Sequence, residues 1–422
     1  MKNMRLRLIV MNFLEFAAWG SYLTSMGAYL ASVGLGTDIG SYYAMQGVAS
    51  LFMPALMGMV ADRFIPTQRL LSFCHVATAI CMVLCGWVGL SAQREGLPVD
   101  GQLLFIFYAL AIAFFMPTLA LSYSVAYSAL DKVGLDTVKS FPSIRMFGTI
   151  GFICAMIFVD LMGYQNTPFQ FLVSAVVSIV LAAYALTLPS CPVGQRSQGK
   201  SLARAFGFNA LILFKNKKMA LFFIFSFLMG VSLQITNGYA NPFIQSFGQI
   251  PDYEDLFFVR HSNLLVSFSQ VSETFCILMI PFFLKRYGIK CVMLIAMLAW
   301  CVRFGFFAMG DPGSGVWLLI LSCVVYGVAF DFFNISGSIF VDKEVDISMR
   351  SSAQGLFILM TSGLGSCVGS LGARRIVNHF VFSEGLSPLQ QAAGWQASWT
   401  IFATYALIVA IAFAILFKNQ RI

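Results

Sequence analysis

Long apolar runs constrain this chain more than any other feature. Twelve stretches, each able to form a helix of about 20 residues or more and so cross a hydrocarbon layer about 30 Å thick, follow one another along the sequence. They fall at 8–31, 39–61, 70–91, 103–128, 143–162 and 169–188, then at 219–245, 262–284, 291–309, 315–341, 350–377 and 396–417. In hydrocarbon every backbone N–H and C=O must find its partner within the protein, and runs of this length do so as helices. Residues 189–218, rich in Pro, Ser, Lys and Arg, read as a solvated linker. The expectation is an all-α membrane protein with twelve transmembrane helices in two six-helix halves, 1–188 and 219–422, joined by the cytoplasmic interdomain linker 189–218.

Only 10% of the 422 residues are charged, against about 25% in soluble domains, and no segment is left for a separate catalytic module. Any chemistry is therefore done within the bilayer, and an enzyme is not expected. Twenty of the Lys and Arg residues lie on loops sharing a side with the termini, whereas four (Arg94, Arg260, Arg374 and Arg375) lie opposite. Positive loops stay inside, so both termini are expected in the cytoplasm. The net charge of +8 is then a topology signal, with no nucleic-acid partner implied. The basic start resembles a leader, but the apolar segment behind it is too long and contains Glu15, so it reads as a retained first span. Eight of the ten cysteines sit in apolar runs and read as small buried hydrophobes. His75, His261 and His379 are scattered, so neither a metal nor another cofactor is expected.

The second run closes on Gly58-Met-Val-Ala-Asp62-Arg63, which resembles the loop signature of the major facilitator superfamily, twelve-helix secondary transporters. A small residue permits close helix approach, and an acid–base pair at a helix end can lock one conformational state.

An ionisable group at membrane depth costs several kcal/mol unless it faces a cavity or a partner. Five such groups stand inside the runs: Glu15, Arg145, Glu273, Arg303 and Asp331. Uncharged polar residues recur beside them at helical spacing. Gln234 and Asn237, and likewise Gln270 and Glu273, are three apart and share a face, while Arg145 and Thr149 are four apart with Phe152 one further turn along. Amides, a cation, a hydroxyl, a carboxylate and the aromatic faces of Phe152 and Phe330 together suit a polyhydroxylated ligand with a planar ring. The competing reading is interhelical glue, since Gln and Asn often bond neighbouring helices in membranes. Glu15 and Arg303 are each open to a second reading, as one partner of a structural ion pair.

At Gln234-Ile-Thr-Asn237, Ser269-Gln-Val-Ser-Glu273-Thr and Ala329-Phe-Asp331-Phe-Phe-Asn-Ile-Ser-Gly337 the sequence resembles the NupG-type nucleoside permeases of the nucleoside:H+ symporter family. Phe141-Pro-Ser-Ile-Arg145-Met-Phe-Gly-Thr149-Ile-Gly-Phe152, Leu213-Phe-Lys-Asn-Lys217, Ile280-Pro-Phe-Phe-Leu-Lys-Arg-Tyr-Gly-Ile-Lys290 and Ser352-Ala-Gln-Gly355 also match. The resemblance implies proton-coupled uptake of nucleosides such as uridine or adenosine across a Gram-negative inner membrane, by alternating access through a cavity between two halves. It implies binding or coupling roles for Arg145, Thr149, Phe152, Gln234, Asn237, Gln270, Glu273 and Asp331. Glu15 departs from the family pattern, which has Gln there, as does the segment around Asp252-Tyr-Glu-Asp255.

Burial away from water favours the neutral form of a carboxyl group, so an intramembrane acid can carry a proton. Asp331 is the first choice for coupling and Glu273, beside Gln270, for the ribose hydroxyls, with Glu273 and Glu15 as further coupling candidates and Arg145 tuning the charge. A functional monomer in the lipid bilayer is expected. A proton symporter for a sugar or other polyol is the alternative, using the same acids without needing an aromatic platform. A passive channel fits poorly with charges confined to a few spans. Gly194-Gln-Arg-Ser-Gln-Gly199-Lys200-Ser201 fits a phosphate-loop pattern but lacks the strand and helix that such a loop requires. Gly363, Gly365, Gly369 and Gly372 are expected to allow close helix packing.

Overall fold

The computed structural model describes residues 3–191, 208–346 and 349–417. The phosphate-loop-like segment 194–201 and the side chain of Asp62 lie outside the described residues. Among the described residues the chain is helical throughout, without a strand. Its helices are α1 (Met4–Gly20), α2 (Met26–Ser32), α3 (Ile39–Arg63), α4 (Thr67–Glu95), α5 (Gly101–Lys132), α6 (Thr137–Leu161) and α7 (Phe169–Leu186). These are followed by α8 (Lys217–Ser246), α9 (Ser262–Met309), α10 (Val316–Glu344), α11 (Arg350–Ile358), α12 (Ser366–Phe380) and α13 (Pro388–Leu416).

Among the described residues ten helices are long and apolar enough to cross a membrane. Two features bear on that number. The first expected span is broken, with turns separating α1 from α2. The eighth and ninth expected spans run together in α9, whose 48 residues contain one break, at Gly288. There φ is 75° and ψ 169°, a backbone conformation that a side chain disfavours. Polar residues between the apolar runs start several helices. Asp100 accepts a hydrogen bond from Leu103 N, Asn216 from Lys218 N, and Ser387 forms a capping box with Gln390 just before the last span. The outward faces are apolar as well: Phe73, Ile80 and Trp87 on α4 are exposed while Cys74 and Cys85 on the same helix are buried. A helix apolar all round is built for lipid on one side and protein on the other. Cys154 is exposed, which corrects its reading as a buried hydrophobe: it lies on the outward face of α6.

Packing divides the described chain into two units. One holds the residues up to Leu35 and from Val48 to residue 191; the other holds Gly36–Gly47 and the residues from 208 onward. The start of α3 therefore groups with the C-terminal helices. In the first unit α1 lies along α6, and glycines let the two backbones approach: a Cβ on Gly20 would stand 2.5 Å from the Phe152 carbonyl oxygen. In the second unit α9 packs on α10 and α13, while α8 packs on a π-helical stretch, Leu359–Gly365, that links α11 to α12.

The glycines of this eleventh expected span divide in role. A Cβ on Gly365 would stand 2.6 Å from the Phe227 carbonyl oxygen, and one on Gly369 would collide with that of Val231. Gly372 faces open space, so close packing does not require it. Gly58 is corrected in the same way: a Cβ there would meet nothing within 4 Å, so no close approach depends on its smallness in this conformation. Arg63, at the end of α3, is exposed.

Candidate functional site

In the first unit α6 carries Arg145, Thr149 and Phe152 along one face. Helical spacing places the guanidinium beside the hydroxyl, and Arg145 Nη1 donates to Thr149 Oγ1 at 3.4 Å. Its Nε donates to Tyr123 Oη on α5 at 2.6 Å, and its guanidinium carbon lies 3.9 Å from the centre of the Phe16 ring on α1. Two hydroxyls and a ring thus hold the cation flat and pre-oriented. Phe152 is buried, with the edge of Trp19 against it at 6.1 Å. Tyr123 and Phe16 were not legible as partners, since neither carries a charge and both come from other helices.

Glu15 is enclosed in the same unit. Its carboxylate accepts from Thr118 Oγ1 at 2.5 Å and lies 2.9 Å from His75 Nε2, and all three residues are fully buried. Glu15 thus finds a hydrogen-bond partner in His75, which the sequence leaves as one of three scattered histidines.

In the second unit α8 presents Gln234 and Asn237. Asn237 Nδ2 donates to Gln234 Oε1 at 2.7 Å, and Gln234 Nε2 donates to Gln46 Oε1 at 3.5 Å. The amides therefore form a chain running from Asn237 through Gln234 to Gln46. Gln270 and Glu273 on α9 and Asp331 on α10 converge on Tyr326, which hydrogen-bonds Gln270 and interacts electrostatically with both acids. Tyr326 stacks on Phe330 one turn later, with ring centres 5.7 Å apart and planes 3° off parallel. Asn334 folds back to donate to the Phe330 carbonyl at 2.9 Å. A recess beside Phe330, with room for no more than about one water molecule, is lined by Gly230, Leu233, Trp300, Phe330, Asn334 and Thr361, an aromatic and amide surface.

Arg303 is 2% exposed. Its Nη1 donates to the Ser322 carbonyl at 2.6 Å and to Ser269 Oγ at 3.3 Å, and its guanidinium lies 4.6 Å from the Tyr326 ring centre and 5.3 Å from that of Phe307. Rings and neutral oxygens surround it. It shares Tyr326 as a neighbour with the two acids, which act electrostatically on the same phenol. Tyr326 and Trp300 are the residues the sequence did not single out; the one available signal was the i, i+4 relation of Tyr326 to Phe330.

The sequence profile of the nucleoside H+ symporters matches residues 1–421. The chain belongs to the nucleoside H+ symporter family. This symporter is 44% identical to the xanthosine permease of Escherichia coli (strain K12), over 99% of its own length and 97% of the relative's. It is 42% identical to the nucleoside permease NupG of the same organism, over 100% and 97%. The crystal structure of the nucleoside transporter NupG superposes with a TM-score of 0.89, covering 99% of the symporter and 100% of that chain. A D-xylose–proton symporter matches at a TM-score of 0.70 and 12% identity, over 99% and 98% of the two chains, which establishes a shared fold and nothing more. The expected family and its transporter fold are thus met.

Proposed function

We infer that this chain is a proton-coupled nucleoside permease of the bacterial inner membrane, a multi-pass transporter rather than an enzyme. The full-length match to the nucleoside H+ symporters carries this reading, and the pairing of ring-shaped surfaces with amides and intramembrane acids supports it. Counting α1 with α2 as one span, and α9 as two spans parted at Gly288, brings the total to the twelve of a major facilitator transporter. The lopsided distribution of Lys and Arg supports a cytoplasmic position for both termini. The boundaries 1–188, 189–218 and 219–422 remain our division of the chain into two bundles and a linker, and the working unit is a monomer.

The binding roles follow from chemistry. The flat, immobilised guanidinium of Arg145 and the Thr149 hydroxyl offer donors to a nucleoside. Phe152 and Phe330 offer ring faces to the base. Gln234, Asn237 and Gln270 offer amides for base edges, and Glu273 a carboxylate for ribose hydroxyls. Asp331, 4% exposed and, like Arg303, acting electrostatically on Tyr326, is the coupling acid. Protonation and nucleoside binding each favour the same conformational change, so that neither ligand crosses alone during alternating access. Gly58, Asp62 and Arg63, in the last turns of α3, act in conformational change beside the loop that follows the second span.

Uptake of labelled uridine and adenosine into cells lacking their own permeases, with and without a protonophore, tests the assignment. Uncoupler-sensitive accumulation is the expected result. Competition by xylose but not by nucleosides, or uptake indifferent to the protonophore, would overturn it.

A further inference from the structure

Three buried groups in the first unit take no part in the binding scheme above: Glu15 on α1, His75 on α4 and Thr118 on α5. Their hydrogen bonds have an unusual property: they suit Glu15 with or without a proton. As a carboxylate, Glu15 accepts from His75 Nε2–H and from the Thr118 hydroxyl. The same hydroxyl also lies 2.6 Å from the Phe115 carbonyl oxygen. A hydroxyl has one proton and two lone pairs. When Glu15 gains a proton, Thr118 turns its own toward Phe115 and accepts from the acid, and no polar atom of Glu15 or Thr118 is left unsatisfied. Hydrogen on His75 Nε2 suits both states of Glu15, and its Nδ1 is buried with no hydrogen-bond partner among the described residues. A structural ion pair has no use for the swivelling hydroxyl; a proton-binding site does.

The groups facing this cluster are few. Cys74 on α4 interacts electrostatically with Glu15. On α5 Tyr123 is bonded to Arg145; on α6 Arg145 is stacked on Phe16, the residue after Glu15; on α7 Tyr184 bonds the Arg7 carbonyl. Along α1 itself, Arg5 is exposed and bonded to Ser143, and Arg7 is half-buried and bonded to Thr187. Aromatic contacts also connect the cluster to the candidate binding face, from Phe152 through Trp19 to Phe115, whose ring lies edge-on to His75 at 6.1 Å.

We propose that Glu15, held by His75 and Thr118, is a second proton-binding site of this transporter, linked to nucleoside bound at the Arg145–Thr149–Phe152 face. The proton comes from water and binds a carboxylate oxygen, with Thr118 exchanging its donor role for an acceptor role. The linkage rests on the nucleoside reading of the preceding section; the existence of the site does not.

The chain has three histidines, so ring 15N resonances of the purified full-length protein can be assigned by replacing His261 and His379 in turn. In the otherwise native protein the His75 Nε2 resonance is expected to move with pH as Glu15 gains its proton, and to move again on adding adenosine. Glu15→Gln, which preserves shape and hydrogen bonds, is expected to abolish the pH response. Thr118→Val is expected to displace its midpoint, whereas Thr118→Ser restores it. The pH dependence of adenosine affinity, measured calorimetrically, is expected to lose the uptake of one proton in Glu15→Gln and to keep that contribution in Asp331→Asn. A His75 resonance unaffected by pH, or one responding equally in Glu15→Gln, overturns the proton site. A pH response with no response to adenosine, and no adenosine binding, keeps the site and overturns the nucleoside reading instead. Adenosine binding whose pH dependence is the same in Glu15→Gln as in the native protein overturns the linkage.

Discussion

Replacing Arg303 decides whether its charge stabilises the fold. The side chain is buried, donates to the Ser322 carbonyl and Ser269 hydroxyl, and lies on the rings of Tyr326 and Phe307. A hydrogen bond involving a charged group is worth about 1.5–3 kcal/mol. A desolvated cation–π contact adds about 2 kcal/mol. Against these stands the burial of an ion, which costs several kcal/mol even after relaxation. The terms nearly cancel, so Arg303→Met, similar in volume, is expected to unfold within about 2 kcal/mol of the native protein. Arg303→Ala adds a cavity and should lose about 3–5 kcal/mol. Arg303→Lys should fall beside it, because a compact ammonium keeps the burial cost but cannot both reach Ser322 and lie flat on Tyr326. Unfolding in a fixed detergent, followed by intrinsic fluorescence, gives the order of the variants. A native-like Lys variant beside a strongly destabilised Met variant would refute the reasoning and mean that the charge is directly paired in the ground state.

Further outcomes are expected. Asp331→Asn should abolish accumulation against a gradient while sparing exchange of labelled for unlabelled nucleoside, and undiminished proton-driven accumulation would contradict its coupling role. Gln270→Leu removes the Tyr326 partner and one amide, and should weaken uridine binding about tenfold, the worth of about one hydrogen bond near 1.4 kcal/mol, as read by calorimetry. Gly369→Leu should lower the unfolding midpoint by the equivalent of about 1–3 kcal/mol through overpacking against α8, whereas Gly372→Leu should change it by about 0.5 kcal/mol or less. Equal effects at the two glycines, measured by the same thermal assay, would count against the packing described.

Sequence and structure agree where the bilayer dictates the answer. The runs expected at 39–61, 103–128 and 169–188 appear as Ile39–Arg63, Gly101–Lys132 and Phe169–Leu186, because hydrocarbon leaves an apolar segment no other backbone solution. The break after α1 was hidden, since Ser21, Thr24 and Ser25 look like ordinary small polar residues of a span. Its stability depends on tertiary partners such as Gln170, which accepts from Ser25 at 2.9 Å. In the candidate site, helical spacing revealed pairs on a single helix: Arg145 does reach Thr149, and Gln234 does reach Asn237. Glu15, His75 and Thr118 come from three helices, and no periodicity joins them. Tyr326 was inconspicuous for another reason: in a chain with 43 Phe and 14 Tyr, an aromatic side chain carries little information until its neighbours are known.

The π-helical turn at Leu359–Gly365 has a mechanical consequence. Such a turn is an α-helix with one residue too many, and each residue of an α-helix advances the wheel by about 100°. The surplus is slack that can migrate by exchanging one hydrogen bond at a time. As it travels toward the C-terminal end of α12, each residue it passes rotates about the helix axis without the helix breaking. Arg374, which there holds the Asp38 carboxylate at 2.6 Å, would leave that partner by a turn of the screw rather than the bending of a hinge. Deleting a single residue between Leu359 and Gly365 would leave the helix intact and remove only its capacity to ratchet.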